Sequence, residues 1–372
     1  MKITDIESIM LRLPDVLPNG DGLQDVLIIK VHTDAGIVGL GEVHTSPLVA
    51  KAIIEAPISQ LTVQGFKQLL IGRDPLKIEE LWQLMYDCSI TYGRRGIVLH
   101  VISGIDIALW DILGKAHAVP IHQLFGGAMR SEVCAYASDL TPPGTEAIIA
   151  KAHEYIQRGF KAMKFGWGDL GYHIEEDVSR FAVVRQTVGD EVDLMIDIGK
   201  PLPFDQAMYL SQVLADYNIY FLEEPLSPDD LEGYAELVSA SLIPIAAGEK
   251  ESTRFGFQDL MDRGRLPIIQ PDVARVGGLT EMLRIAAVVE ERNVRIIPHS
   301  WATDILLSAT LQFLAIQPEA DYLEFNVMDN PLRTKLLTEP LQVNDGWVNI
   351  PDGPGLGIEL NQDTLERFAW VP

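Results

Sequence analysis

The sequence predicts an α/β protein whose second half folds as a (β/α)8-type barrel. The first observation behind this is a rhythm. Short apolar runs that end in a polar or charged residue (KAMKFG, LMIDIG, YFLEEP, PIAAGE, PIIQPD, RIIPHS, YLEF) alternate with longer amphipathic stretches. The second is spacing. The residues near the ends of these runs, Lys164, Asp197, Glu223, Glu249, Asp272, His299 and Glu324, follow one another at 33, 26, 26, 23, 27 and 25 residues. That is the length of a parallel strand with its crossover helix. The third is a contrasting first part, in which antiparallel strands give way to helical periodicity.

Val26–Val31 reads as a strand, Asp34-Ala35-Gly36 as a turn and Val38-Gly39-Leu40-Gly41-Glu42 as the returning strand. From Pro47 to about Leu124 the period is mostly helical, with Ile105, Leu109 and Ile112 on one face, and the segment closes at Gly126-Gly127. Ser131–Ser138 supplies one more strand ahead of the seven runs, which makes eight, the number a barrel of ordinary size needs. After Glu324 the chain passes Pro331, Pro340, Pro351 and Pro354, a tail expected to return to the first part. The expected boundaries are 1–127 for a capping domain, 128–330 for the barrel and 331–372 for the returning segment.

The length of 372 residues and an apolar content of 47% suit a globular chain with a large core. Twenty-nine basic and 53 acidic side chains leave a net charge of −24. Such a surface repels phosphate backbones and anionic lipid, so nucleic acid and membrane partners are not expected. An anionic substrate would need local positive charge in its site. Cys88 and Cys134 are too few for a disulfide framework, the N-terminus lacks a signal-peptide pattern, and no stretch reads as a membrane span of about 18 apolar residues. A cytoplasmic location is expected.

Barrel active sites lie at the C-terminal strand ends, where this chain carries its ionisable residues. One carboxylate after a strand is usually a solvated loop residue or a helix cap. Seven ionisable groups in successive units are not explained as seven independent caps. Asp197, Glu223 and Glu249 on successive strands suit a hard cation such as Mg²⁺, which takes oxygen ligands. Glu224 is expected on the opposite side of its strand from Glu223. Asp272 and His299 close adjacent strands, so a hydrogen bond between them would fix the imidazole tautomer and raise its basicity.

Together with Ala108-Leu109-Trp110-Asp111, Gly114-Lys115, Pro120-Ile121, Leu124, Gly126, Glu223-Glu224-Pro225 and Asp272…Gly277-Gly278, these residues resemble the mandelate racemase branch of the enolase superfamily over essentially the whole chain. The resemblance implies a modified TIM barrel, (β/α)7β, under an α+β cap built from both termini. It implies one Mg²⁺ per active site on Asp197, Glu223 and Glu249, and a His299–Asp272 general base. Lys164 would stabilise an enolate, and Glu324 would hydrogen-bond the substrate carboxylate. It also implies a small-molecule carboxylate substrate and a homo-oligomer, a dimer or an octamer.

Two positions depart from the family pattern. The second lysine of the usual Lys-x-Lys is Gly166, and the residue two after the metal aspartate is Gly199. Lys161 lies on the wrong strand face to substitute. Lys200 is a candidate for a second base, against its plainer reading as a solvated lysine at a helix start; a water is another, and a shifted alignment would make Lys164 itself the base. A base on one face only favours elimination over racemisation. The expected reaction is therefore Mg²⁺-dependent dehydration of an aldonate or aldarate to a 2-keto-3-deoxy acid. The alternatives are a racemase, epimerase or cycloisomerase using the same enolate, and a non-catalytic carboxylate-binding homologue. Substrate contacts are expected from residues near 18–24, from His44, Arg94 and Arg95 in the cap, and from Trp301. The two glycines are expected to leave room for a polyol acid.

Overall fold

The computed structural model describes residues 1–17, 23–60 and 62–371. The chain opens with an antiparallel sheet, β1 (Ile3–Arg12), β2 (Asp25–Thr33) and β3 (Val38–Val43), in the order β1-β2-β3. Five helices follow: α1 (Pro47–Glu55), α2 (Phe66–Leu70), α3 (Ile78–Gly93), α4 (Ile97–His117) and α5 (Ile121–Leu124). Helix α4 lies so close to β3 that a Cβ at Gly39 would stand 2.0 Å from the Ala108 carbonyl oxygen, and one at Gly41 would stand 1.8 Å from that of Gly104. The glycines of β3 thus set the distance between helix and sheet.

Helix α4 corrects one expectation from the sequence. Its 21 residues, with a mean hydropathy of 1.7, are long and apolar enough to cross a membrane. The helix is apolar around most of its circumference because it is sandwiched: 78% of its most apolar window is buried between the cap sheet and the barrel.

The barrel strands are β4 (Glu132–Leu140), β5 (Ala162–Gly166), β6 (Asp193–Asp197), β7 (Ile219–Glu223), β8 (Ile245–Ala247), β9 (Ile268–Ile269), β10 (Arg295–Ile296) and β11 (Leu323–Asn326). They pair in parallel from β4 through β10, and β11 pairs back onto β4. The connecting helices are α6 (Thr145–Gln157), α7 (Ile174–Val188), α8 (Phe204–Val213), α9 (Leu231–Ala240), α10 (Thr253–Asp262), α11 (Gly278–Arg292) and α12 (Asp304–Leu314). Eight strands and seven intervening helices make this (β/α)7β, one helix short of the regular barrel that spacing alone suggests: the helix that would follow the eighth strand, β11, is replaced by the tail. The tail adds α13 (Pro331–Thr334), then the strands β12 (Val343–Asn344) and β13 (Trp347–Asn349), then α14 (Gln362–Phe368). Strand β13 runs antiparallel to the start of β4, and Ala369 bridges to Leu11 of the cap sheet.

Period-two alternation builds the barrel interior. Tyr136, Ala162, Met195, Phe221, Ala246, Ile268 and Ile297 form one closed apolar layer, large side chains beside small ones, with Tyr322 packed against it. Two residues further along their strands stand Ser138, Lys164, Asp197, Glu223, Gln270, His299 and Glu324. The same alternation that fills the floor therefore points these polar groups inward one layer above it.

The cap is fastened to the barrel through helix N-termini. Glu42 of β3 accepts from Thr303 Oγ1 at 2.6 Å and from the amides of Thr303 and Leu306 at 3.3 and 3.1 Å, at the start of α12. Asp106 of α4 accepts from the amide and hydroxyl of Thr280 at 2.9 and 2.6 Å, at the start of α11. Trp82 Nε1 donates to the Gly277 carbonyl at 2.7 Å. The Glu42 and Asp106 contacts satisfy helix-terminal amides that burial would otherwise leave unpaired, and Trp82 satisfies a carbonyl beside one of them.

Burial raises Glu42 to about 7 against the opposing hydrogen bonds from Thr303 and Leu306, from an ordinary value of 4.5. The native state therefore holds this proton more tightly than the unfolded state does, and stability falls as pH rises from 4.5 to about 7, then levels off. Glu42→Gln is expected to remove on the order of 3 kcal/mol of that decline, a shift of about two and a half units at 1.36 kcal/mol each. Urea unfolding of both proteins across this window checks it; parallel curves would refute the assignment.

Candidate active site

The inward ring closes on a cavity of about 310 Å³ at the C-terminal end of the barrel. Its lining includes Ser138, Lys164, Asp197, Glu249, His299 and Glu324 from the barrel, His44 from the cap, and Trp167, Lys250, Arg275 and Trp301 from strand-end loops. All the ionisable residues singled out at the strand ends lie in or directly behind this wall.

Lys164 is buried between two carboxylates. Its Nζ lies 2.7 Å from Glu223 Oε2 and 2.8 Å from Glu324 Oε1. Burial acts against its charge, but Glu223 and Glu324 outweigh that and raise the lysine well above its ordinary value. Glu324 also accepts from Ser138 Oγ at 2.8 Å and from the Ser300 amide at 2.7 Å. Asp197 Oδ1 accepts from the Gly199 amide at 2.8 Å. Its carboxyl is pushed well above the ordinary range, by burial first and by the neighbouring Glu223 second.

His299 Nδ1 lies 2.7 Å from Asp272 Oδ2, and its Nε2 lies 2.9 Å from Glu249 Oε2. Asp272 is fixed in turn by the Ala274 amide on Oδ1 at 2.7 Å. Burial disfavours the imidazolium, yet Glu249 and then Glu324 outweigh it and raise His299 to about 10. In this arrangement His299 holds a proton. It can accept one only when the charge of Glu249 is engaged elsewhere. His44 stacks on His299 with ring centroids 6.1 Å apart, and its Nδ1 lies 3.4 Å from Asp272 Oδ2. Burial, then the adjacent Arg275, lower His44 to about 4, so it is neutral.

Two groups of side chains can be considered for a metal. His44, Asp272 and His299 bring ligand atoms within 4.8 Å of one another. Arg275, however, stands among them, with a guanidinium nitrogen 3.2 Å from His44 Nδ1 and another 3.5 Å from Asp272 Oδ2, and a fixed cation there disfavours a second one. Asp197, Glu223 and Glu249 fit better. Glu223 Oε1 is buried with no hydrogen-bond partner among the described residues, an orphaned acceptor that a cation would satisfy. Asp197 Oδ2 and Glu249 Oε1 carry none of the hydrogen bonds above. This all-oxygen set suits Mg²⁺.

The structure revises several sequence readings. Glu224 does not merely face away. It adopts a left-handed conformation (φ 45°), and its carboxylate bonds to Lys250. Gly199 does not leave open space: the Trp167 indole lies over it, so that a Cβ there would stand 2.6 Å from the ring. Gly166 is packed against Asp197, whose Cβ would stand 2.8 Å from an added methyl. His44 and Trp301 line the cavity, whereas Arg94, Arg95 and Lys200 do not. Arg94 is exposed at the end of α3, and Arg95 reaches from the cap to Glu251 at 3.0 Å. Lys200 sits over the Tyr172 ring. Of the segment 18–24, residues 18–22 lie outside the described residues.

Sequence reasoning missed Lys250, Arg275, Trp167, Ser138 and Gln270. Period-two counting from the floor residues would have found Ser138 and Gln270. Arg275 stands one helical turn after Asp272, a spacing that places charges together only if the chain turns there, as it does.

Residues 18–126 match the mandelate racemase / muconate lactonizing enzyme N-terminal domain, and residues 147–364 match the enolase C-terminal domain-like family. The D-galactarolactone cycloisomerase of Agrobacterium fabrum is 36% identical over 354 residues, covering 92% of this chain and 90% of that protein. The arabinonate dehydratase of Saccharolobus solfataricus is 32% identical over 348 residues, with the same coverage of 92% and 90%. A Streptomyces coelicolor racemase solved with bound magnesium superimposes with a TM-score of 0.88 at 28% identity, covering 99% of this chain and 100% of that one. With both domain families matched in order and relatives aligned over nine-tenths of its length, the chain belongs to the enolase superfamily, in its mandelate racemase/muconate lactonizing enzyme family.

Proposed function

We propose that this chain removes the α-proton of an acid-sugar carboxylate and then eliminates water from the β-carbon, giving a 2-keto-3-deoxy acid. The observation that carries the proposal is the one-sidedness of the cavity. His299, held by Asp272, faces it from beyond the end of β10, while across the cavity Gly166 ends β5 with Trp167 beside it in the wall, and Gly199 follows β6, so that glycines stand where a second base is expected. Racemisation needs proton transfer on both faces. Elimination needs it on one.

In this reading His299 takes the proton, with Asp272 holding its tautomer, and the charge developing on the substrate carboxylate meets Lys164. Glu324, braced by Ser138 and the Ser300 amide, would position that carboxylate as the protonated acid, its hydroxyl donating to it. His299, then protonated, returns the proton to the departing hydroxyl when both lie on its face. Asp197, Glu223 and Glu249 would hold Mg²⁺, which would supply Lewis-acid neutralisation of negative charge on the substrate. The cap excludes water by seating His44 over the pair.

A second reading is supported by the cycloisomerase among the relatives. Proton removal by a single base serves equally when the group leaving the β-carbon is a ring oxygen of the substrate. The product is then an isomer and no water is lost.

Incubation of the Mg²⁺-loaded protein with aldonates, aldarates and their lactones, followed by 2-keto acid detection and mass spectrometry, separates the readings. Loss of one water supports dehydration, and a 2-keto product of unchanged mass supports cycloisomerisation. Deuterium incorporation from D₂O without a 2-keto product would sink both and return Lys200 to consideration as a second base. Absence of exchange would support a non-catalytic homologue. Glu249 and Asp272 both contact His299, so His299→Asn is expected to cut turnover by at least about 10³-fold. It should leave Mg²⁺ binding by calorimetry within a few fold.

Gly166→Ala provides a separate check on the metal site. The added methyl must displace the Asp197 side chain. We expect roughly 1–3 kcal/mol of lost stability, as for overpacking, and weaker Mg²⁺ binding. Unchanged Mg²⁺ affinity would argue against Asp197 as a ligand.

A further inference from the structure

Lys250 follows directly after Glu249, yet its side chain serves three different strand ends. Its Nζ bonds to the Glu224 carboxylate after β7 and donates to the Gly199 carbonyl after β6 at 3.2 Å. It also lies 3.8 Å from Glu249 Oε1 and 5.4 Å from the Trp167 ring centre. Gly199 is the residue whose amide binds Asp197 Oδ1 at 2.8 Å. Lys250 is therefore one bonded residue away from one carboxylate of the metal set and adjacent to another.

Its contact with Glu224 raises a question of numbers. Asp197, Glu223, Glu224 and Glu249 are all buried at the same mouth. An uncommitted Glu224, next in sequence to Glu223 and held by the same ammonium that lies 3.8 Å from Glu249 Oε1, would be a fourth oxygen donor beside the cation site. Four carboxylates and flexible denticity suit Ca²⁺, which takes six to eight oxygens. Mg²⁺ requires a small octahedral shell and keeps several positions for water or substrate.

We infer that Lys250 is a positioning residue that holds Glu224 out of the cation site, so that the cation meets three carboxylates, and that this sets the preference for Mg²⁺ over Ca²⁺. The inference rests on the reading of Asp197, Glu223 and Glu249 as a Mg²⁺ site. Because Lys250 acts through Glu224, removing its charge should matter only while Glu224 is a carboxylate.

The test is calorimetric titration of Mg²⁺ and Ca²⁺ into wild type, Lys250→Gln, Glu224→Gln and the double variant, each checked for folding by circular dichroism. Lys250→Gln keeps a donor for the Gly199 carbonyl and loses the charge. It should raise the ratio of Ca²⁺ to Mg²⁺ affinity by about tenfold, the size expected for one added carboxylate ligand. The double variant should return the ratio to within about twofold of Glu224→Gln alone, which is the mark of action through that residue. Lys250→Arg should keep the wild-type ratio. Should Lys250→Gln not fold, Lys250→Met in the Glu224→Gln background, where no charge is left to pair, must match the ratio of Glu224→Gln alone, and any further shift there overturns the inference. A wild-type ratio in folded Lys250→Gln overturns the inference, as does a shift that persists in the double variant. Wild-type protein whose Mg²⁺ binding is unaffected by Asp197→Asn overturns the metal-site reading as well, so the two failures are distinguishable.

Discussion

Six buried carboxylates, those of Asp197, Glu223, Glu224, Glu249, Asp272 and Glu324, converge on one end of the barrel, and their mutual repulsion is the constraint to which the rest of the site answers. Ionised groups in a low-dielectric interior are tolerated only when paired. Each positive group present is placed against a particular subset. Lys164 bridges Glu223 and Glu324, Lys250 takes Glu224, Arg275 flanks Asp272 and Glu249, and His299 spans Asp272 and Glu249. Asp197 is left with a backbone amide and a raised affinity for protons. That residual charge, beside the unpartnered oxygen of Glu223, is what a divalent cation would neutralise.

The same accounting explains how a chain with a net charge of −24 can present a site for an anion. The cavity wall carries Lys164, Lys250 and Arg275, but none of them is free; each is already engaged by a carboxylate. In the proposed reading, a cation on Asp197, Glu223 and Glu249 would draw Glu223 from Lys164 and Glu249 from Arg275, leaving those two charges for a substrate carboxylate, while Lys250 stays on Glu224. Binding of metal and substrate are linked through shared side chains in this arrangement.

The fold was legible because it repeats. Seven apolar runs at near-constant spacing announce strands and crossovers, and a carboxylate closing three consecutive runs announces its neighbours by position alone. What was not legible depends on backbone conformation after the strand ends, where periodicity stops. Glu224 was placed by strand alternation, but the strand ends at Glu223 and the next residue turns left-handed, which brings its carboxylate to Lys250. Gly199 was read as space, although the space is filled by Trp167, a residue in a left-handed conformation that no pattern foretold. Arg94 and Arg95 looked like anion binders by composition. Arg95 is instead matched to Glu251, an acidic partner 156 positions away. Helix α4 misled in the opposite direction, since a helix buried on both sides carries the same composition as one that crosses a bilayer.

The division of labour between domains follows from these placements. In the proposed reading the barrel contributes the proton-handling pair, the enolate-facing lysine and the carboxylate set, of which Lys164, Asp197, Glu223 and His299 are fixed by the register that also packs the floor. His44 on β3's trailing loop, Trp301 after β10 and Trp167 after β5 line the same cavity, and in that reading substrate discrimination would fall to them. His44 is neutral and stacked on the histidine that handles the proton, so the cap touches the reacting end of the cavity as well as its entrance. Glu42, two residues before it, is bound to the first turn of α12. Any change that loosens that anchor moves His44 relative to His299, which ties the docking of the cap to the arrangement of the proton-transfer pair. Two relatives of comparable similarity are named for different reactions, a cycloisomerase and a dehydratase, and in the proposed reading the choice between a hydroxyl and a ring oxygen as leaving group would rest with these residues outside the barrel register.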